Sequence, residues 1–337
     1  MPQDEKFSRR LLSATANDLE IFIHHLVSLE TEKYVDHDRY GGSGDMGRDV
    51  VGFLTKSRHE GDWHNFQCKQ YRRPLGASYI FEELGKLFYY SSRGHFILPS
   101  KYVFVVPNNF AQPARDLLDR KSELKRRLVH EWDSLCATKI AKGVTIPLDQ
   151  DIQSKIDAFD FSNVESWEHG KILTLPNVTY AAAKTFGDDP GEAPRGIVPS
   201  VVDPLSEHYG EQLRNVYSEH DGQMYPDVTS VLSHPDHGGD FQLHRRRYFD
   251  AVEFERHFRV KLDSKNVDDY RENMLATVSD IYKSKAGLDR VRSIMTAAGA
   301  ANVGGLFDRH SRVTTLVRQG TCHVFANEGI MPWWKEK

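Results

Sequence analysis

Cysteine is scarce in this chain. Only Cys68, Cys136 and Cys322 occur, an odd number at wide spacing. Such a set excludes a disulfide framework and fits folding in a reducing compartment. Long apolar runs are missing as well: no stretch reaches the roughly 18 consecutive apolar residues of a membrane-spanning helix. The charged start, Met-Pro-Gln-Asp-Glu-Lys, carries no signal-type apolar run, so a cytoplasmic protein without membrane attachment is expected. An excess of positive charge is absent too, since 44 Lys and Arg stand against 48 Asp and Glu, a net charge of −4. That balance excludes a blanket polycation but leaves room for a nucleic-acid enzyme, which binds through local basic patches. No internal repeat and no low-complexity tract is present. What remains is enough to build packed cores: 39% of the 337 residues are apolar, and the length suggests two domains.

The most informative stretch runs from Gly44 to Tyr71. Asp49 opens the apolar run Val50 to Leu54, which reads as a strand, and the charged segment Thr55 to Asp62 reads as a hairpin loop. Trp63 to Tyr71 reads as the return strand. Alternation along it puts Trp63, Asn65, Gln67, Lys69 and Tyr71 on one face, and His64, Phe66, Cys68 and Gln70 on the other. In the simplest register Asp49 lies near Gln67 and Lys69. A carboxylate, an amide and an ammonium on one sheet edge suit the holding of a hard divalent cation beside a polarised water. A plain surface hairpin is the alternative. It leaves the glycines, the two aspartates and the lysine of this stretch to chance.

Asp49 followed by Gln67-Cys68-Lys69, within Gly-Asp-x-Gly-x-Asp-Val-Val-Gly and Gln-Cys-Lys-x-Tyr, resembles the PD-(D/E)xK nuclease superfamily, and in particular its Mrr-type branch. That branch commonly carries Gln where other members carry Asp or Glu. The resemblance implies an α/β restriction-endonuclease-like N-terminal domain, a mixed sheet flanked by helices. It also implies a DNA endonuclease that uses Mg²⁺, with Mn²⁺ as a substitute, and leaves a 5′-phosphate. Asp49 would ligate the metal with either Gln67 or the Cys68 carbonyl, and Lys69 would position the attacking water. The branch carries an acid on its first helix. Thr15-Ala-Asn-Asp18 has capping-box spacing, and Leu19, Phe22, Ile23, Leu26 and Val27 follow one buried helical face, so Glu20 matches that position. Glu30 is the rival, read as a helix end turned to solvent. Asp45 either joins the metal shell or holds its own glycine-rich turn.

Further along, Ser78 to Tyr90 reads as a helix, Lys101 to Val106 as a buried strand, and Pro113 to Leu128 as another helix, an order expected of an α/β sandwich. Arg72 and Arg73, directly after the return strand, are candidates for DNA-phosphate binding; the run Lys121 to Arg127 is a weaker one. Ile152 to Phe161 and Ile172 to Thr179 carry apolar patterning without readable chemistry. The loop-like segment Asp188 to Gly196, rich in Pro, Gly and charge, divides the chain. This gives a nuclease domain over 1–195 and a mostly α-helical C-terminal domain over 205–337.

In that second part, Phe241, Tyr248, Val252 and Phe258 mark one helix; Val267, Tyr270, Met274, Val278 and Ile281 mark another; a third runs from Leu288 to Ala300. The end, with Gly320-Thr-Cys322-His323, Ala326-Asn327-Glu328 and Trp333-Trp334, resembles the C-terminal domain of ABC-three-component defence proteins. Together the two resemblances point to nuclease subunits of Lamassu-type anti-phage systems. They imply double-stranded DNA as substrate, an SMC-like ATPase and a small accessory subunit as partners, and a homo-oligomer on activation. Trp333 and Trp334 are candidate docking anchors or core residues. His234, His237, His244, Cys322 and His323 lack the ligand spacing of a structural zinc site. Two other readings stay open: a DNA-binding or scaffold subunit with a degenerate nuclease fold, and a nuclease switched by a cyclic oligonucleotide of the CBASS type.

Overall fold

The computed structural model describes every residue except Met1, Ser43, Leu205, Glu336 and Lys337, and leaves aside the side chains of residues 2–4. The chain divides into two compact units, Met1–Asp188 and Asp189–Lys337.

The first unit opens with two helices, α1 (Pro2–Ser13) and α2 (Ala16–Ser28). Thr15 and Asp18 cap α2 reciprocally, as their spacing predicts, and Leu19, Phe22, Ile23, Leu26 and Val27 are its buried face. Five strands follow: β1 (Asp36–Arg39), β2 (Val50–Phe53), β3 (Trp63–Cys68), β4 (Lys101–Val106) and β5 (Val164–Glu168). They form one sheet in sequence order. β1, β2 and β3 run antiparallel; β3, β4 and β5 run parallel. The parallel crossovers hold α3 (Ala77–Ser92), between β3 and β4, and α4 (Gln112–Asp119), α5 (Lys121–His130), α6 (Trp132–Leu135) and α7 (Gln150–Ala158), between β4 and β5. The unit ends in α8 (His169–Leu173) and α9 (Val178–Phe186).

Alternation along the strands sorts the sheet between two apolar layers. Val51, Phe53, Trp63, Tyr102, Phe104 and Val106 pack with α3 to α7. Val50, Phe66, Cys68, Val103 and Val105 pack with α1, α2, α8 and α9. Two local expectations need correction, and two stretches had no element assigned to them. Pro113 to Leu128 is two helices, because Arg120 leaves helical geometry with φ −106° and ψ 75°; apolar spacing alone does not register such a break. Ile172 to Thr179 likewise spans two short helices, divided where Asn177 adopts a positive φ of 59°. The return strand stops at Cys68, short of Tyr71. The strand β1, read Asp-His-Asp-Arg, gave no apolar signal because all four residues are at most half-buried.

The second unit comprises α10 (His208–Asp221), α11 (Val228–Leu232), α12 (Gly238–Lys261), α13 (Ser264–Ser284), α14 (Gly287–Ala300), α15 (Gly305–Arg309) and α16 (Thr315–Asn327), with no strand among the described residues. Helices α12 and α16 nearly touch at Gly320: a Cβ there would lie 1.8 Å from the Arg247 carbonyl oxygen. Only glycine permits that approach. The buried face of α12 runs through Phe241, Tyr248, Ala251, Phe254 and Phe258. Val252, expected on it, lies one step off the stripe and is exposed. No helix among the described residues is long and apolar enough to cross a membrane.

Candidate functional site

The β2–β3 ladder pairs Val50 with Phe66 and Val51 with Asn65. Continued by one step, this register sets Asp49 opposite Gln67, with Lys69 on the diagonal. All three follow the parity of Val51 and Trp63, the face covered by α3. The turn leading to Asp49 is held in place: Met46 and Gly47 have positive φ of 57° and 80°, and Asn65 Nδ2 donates to the Gly47 carbonyl at 3.1 Å. The Asp49 carboxylate closes the end of the ladder by accepting the Cys68 N–H at 2.7 Å.

Asp49 and Gln67 are almost fully buried. Burial pushes the Asp49 carboxyl up to about 7, against the pull of the Lys69 ammonium and the Cys68 N–H; Asp45 and Glu83 add to the rise. Lys69 responds the other way. Burial pushes its pKa down, but Glu83 and Asp49 more than compensate and its pKa is raised. Lys69 Nζ stands 2.9 Å from Glu83 Oε1. The site is thus a buried carboxylate near its titration point beside a firmly charged ammonium.

The remaining candidates take varied positions. Glu20 is on α2, which packs against the opposite face of the sheet. Its Oε2 accepts from Arg39 at 3.2 Å. Burial raises its pKa, Arg39 opposes, and Asp45 and Lys69 are both close enough to bear on it. It therefore borders the site from the other layer. Asp45 Oδ1 accepts the Gly47 N–H at 2.8 Å, so it holds its own turn. The Cys68 thiol is on the α2 face, buried, with its pKa pushed well up, so only the backbone of Cys68 belongs to the site. Arg72 and Arg73 are exposed just past β3 and make no ion pair among the described residues. The Lys121 to Arg127 run is largely spent on intramolecular partners: Lys121 on the Val164 carbonyl, Lys125 on Asp157, Arg126 on Glu123 and Arg127 on Glu131. Glu30 is half-buried and accepts from Asn177 at 3.2 Å, not free in solvent.

One residue of the site was missed in the sequence. Glu83 on α3 is only 2% exposed. Its signal was present: Glu83 falls three residues after Ile80 and four before Leu87, inside the apolar stripe of that helix. Its Oε1 takes both Lys69 and Lys86, at 2.9 and 3.1 Å. Its Oε2 and Gln67 Oε1 are buried with no hydrogen-bond partner among the described residues. Buried oxygens left without a donor are costly, and they suit a ligand that brings its own positive charge. Among the described residues no three His, Cys, Asp or Glu side chains form a ready metal cage. This donor set does not fit zinc. Two carboxylates and an amide oxygen fit Mg²⁺, which keeps most of its waters and takes few protein ligands.

His244 and His323 of the second unit are structural. His244 Nδ1 and His323 Nε2 are 2.9 Å apart and His323 Nδ1 accepts from Trp333 Nε1 at 3.0 Å, all buried. Trp333 is therefore a core residue, 1% exposed, and not an exposed anchor. The doublet gave no hint which tryptophan turns inward. Trp334 is half-buried and lines a surface cleft with Arg214, Gln223 and Met224.

Residues 206–333 match the family model of C-terminal domain 6 of the ABC-three component (ABC-3C) systems. The match supports a domain of that kind in the second unit, and such domains belong to systems of several components. No curated protein and no solved structure matches the chain.

Proposed function

We propose that the first unit is a Mg²⁺-dependent DNA endonuclease, and that the chain is the effector subunit of a multi-component anti-phage system of Lamassu type. The observation that carries the reading is the convergence of Asp49, Gln67 and Lys69 on one face at the end of the β2–β3 ladder, with the Gln67 oxygen buried and left unpartnered. Asp49 and Gln67, or the Cys68 carbonyl, would hold the cation, with Glu20 joining directly or through water. A divalent cation bound there acidifies water and offsets phosphate charge. Lys69, kept charged by Asp49 and Glu83, orients the attacking water and stabilises the negative charge that develops on the phosphate. Asp49 must lose its proton for a cation to bind, so uptake of the cation weakens as pH falls below about 7. Arg72 and Arg73 contact the DNA backbone beside the site. The product carries a 5′-phosphate.

The ABC-three-component match supports partners for the second unit, and the reading names them as an SMC-like ATPase and a small accessory subunit, with oligomerisation on activation. An α/β sensor for a cyclic oligonucleotide finds no support, since the second unit has helices and no strand among its described residues. The test is plasmid cleavage in Mg²⁺ or Mn²⁺ at high protein concentration, with and without the co-purified partners. Lys69→Ala is expected to lower the rate by about 10²-fold or more with the fold unchanged by circular dichroism. Cleavage by that variant at the wild-type rate refutes the assignment. Sustained inactivity of the wild type, with partners present and DNA still bound, favours the scaffold reading.

A further inference from the structure

We infer that Glu83 is the second carboxylate of the cation site, a role that rests on the nuclease reading above. Its Oε1 holds Lys69, and its Oε2 is offered to the divalent cation together with Asp49.

The inference starts from the layer each acid occupies. Asp49, Gln67 and Lys69 follow the face covered by α3, and Glu83 projects from α3. Glu20 comes from α2, on the far side of the sheet, and Arg39 matches its charge. Of the two helix acids, Glu83 is the one that enters the site from the near side. Its burial is also hard to explain as packing. A carboxylate in the stripe of Ile80, Leu84 and Leu87 is expensive unless its charge is used. Fixing Lys69 and Lys86 uses one oxygen, because both ammonium groups meet Oε1. Oε2 is left buried and without a partner.

Where that oxygen sits matters. A Cβ built on Gly47 would meet Glu83 Oε2 at 3.8 Å and Lys86 Cβ at 3.2 Å. Oε2 therefore lies against the glycine turn that delivers Asp49. Gln67 brings no charge. With Asp49 alone the site would offer one anionic ligand from this face; Glu83 makes two, nearer to what neutralises a divalent ion.

The test is calorimetric titration of the full chain with MnCl₂, without nucleic acid, which reads binding and not turnover. Wild type, Asp49→Asn and Glu83→Gln are compared. Glu83→Gln keeps the shape and is expected to weaken Mn²⁺ binding by about tenfold or more. Wild-type affinity in Glu83→Gln, with Asp49→Asn impaired, removes Glu83 and leaves the nuclease reading standing. A wild type that takes no Mn²⁺ removes both. If Glu83→Gln unfolds, Glu83→Asp is measured instead, since it keeps the charge for the lysines but withdraws the oxygens by one methylene. A tenfold loss there, about 1.4 kcal/mol, supports the inference, and unchanged affinity overturns it.

Discussion

Glu83 in the first unit and Glu207 in the second are both carboxylates with almost no exposure, 2% and 1%. Glu207 is fully used. Arg245 grips it with two hydrogen bonds, at 2.9 and 3.0 Å, and the Tyr209 hydroxyl adds a third at 3.2 Å. Glu83 crowds two lysines onto one oxygen and leaves the other bare. The same contrast extends to the neighbours. His244, His323 and Trp333 form a closed relay, whereas Gln67 beside Asp49 keeps an unpaired oxygen. Buried polar groups that satisfy one another hold a fold together; a buried acceptor left open beside a charged cluster is able to take a donor or cation from outside.

The largest effect expected from this contrast is at Glu207. Glu207→Ala strands the buried Arg245 guanidinium and should cost about 3–5 kcal/mol, read as a lower melting point of the isolated transition of residues 189–337 or of the whole chain. A loss under about 1 kcal/mol would mean that the pair is no more than a surface bridge, and the comparison would break on that side.

Next is Asp49, where the expected sign is opposite. Its carboxyl is raised from 3.8 to about 7 by burial. A carboxylate with a raised folded pKa favours the fold fully below pH 3.8, and that advantage disappears as pH rises through 7. Asp49→Asn should therefore stabilise the cation-free protein by about 1–2 kcal/mol at pH 8 and leave it unchanged near pH 3.5. Melting curves at the two pH values check this. Destabilisation at pH 8 would mean that Lys69 outweighs burial and that Asp49 is structural, like Glu207. The smallest effect is at the rim. Replacing Arg72 and Arg73 with Gln should leave stability within about 0.5 kcal/mol and reduce the salt dependence of DNA binding by about one unit of log–log slope per charge lost. An unchanged slope would place the nucleic acid elsewhere.

How much of this was legible differs by residue, for physical reasons. The α2 cap and its buried face follow from local spacing, and α3, β2 and β4 from apolar periodicity, because those signals lie within one element. That Asp49 and Lys69 share a face also followed, since alternation and a hairpin register are nearly all that geometry needs. Glu83 was passed over although it interrupts an apolar stripe; an acid on a helix reads as solvated until the sheet it faces is known. The Glu207–Arg245 pair joins residues 38 apart in sequence, and no local pattern marks such a match. The inward turn of Trp333 was equally hidden, since its partners Gln212 and His323 come from separate helices.

That tryptophan has a practical consequence. Its main-chain N–H donates to Gln212 Oε1 at 2.8 Å, and its indole fills the interior of the helical unit. Trimming the last turns of the chain to ask what they recruit would therefore empty a hole in the bundle, and a lost interaction would then report collapse. Affinity handles belong at the opposite end, and a mapping experiment is better done with point changes at Met224 or Trp334 than by shortening the tail.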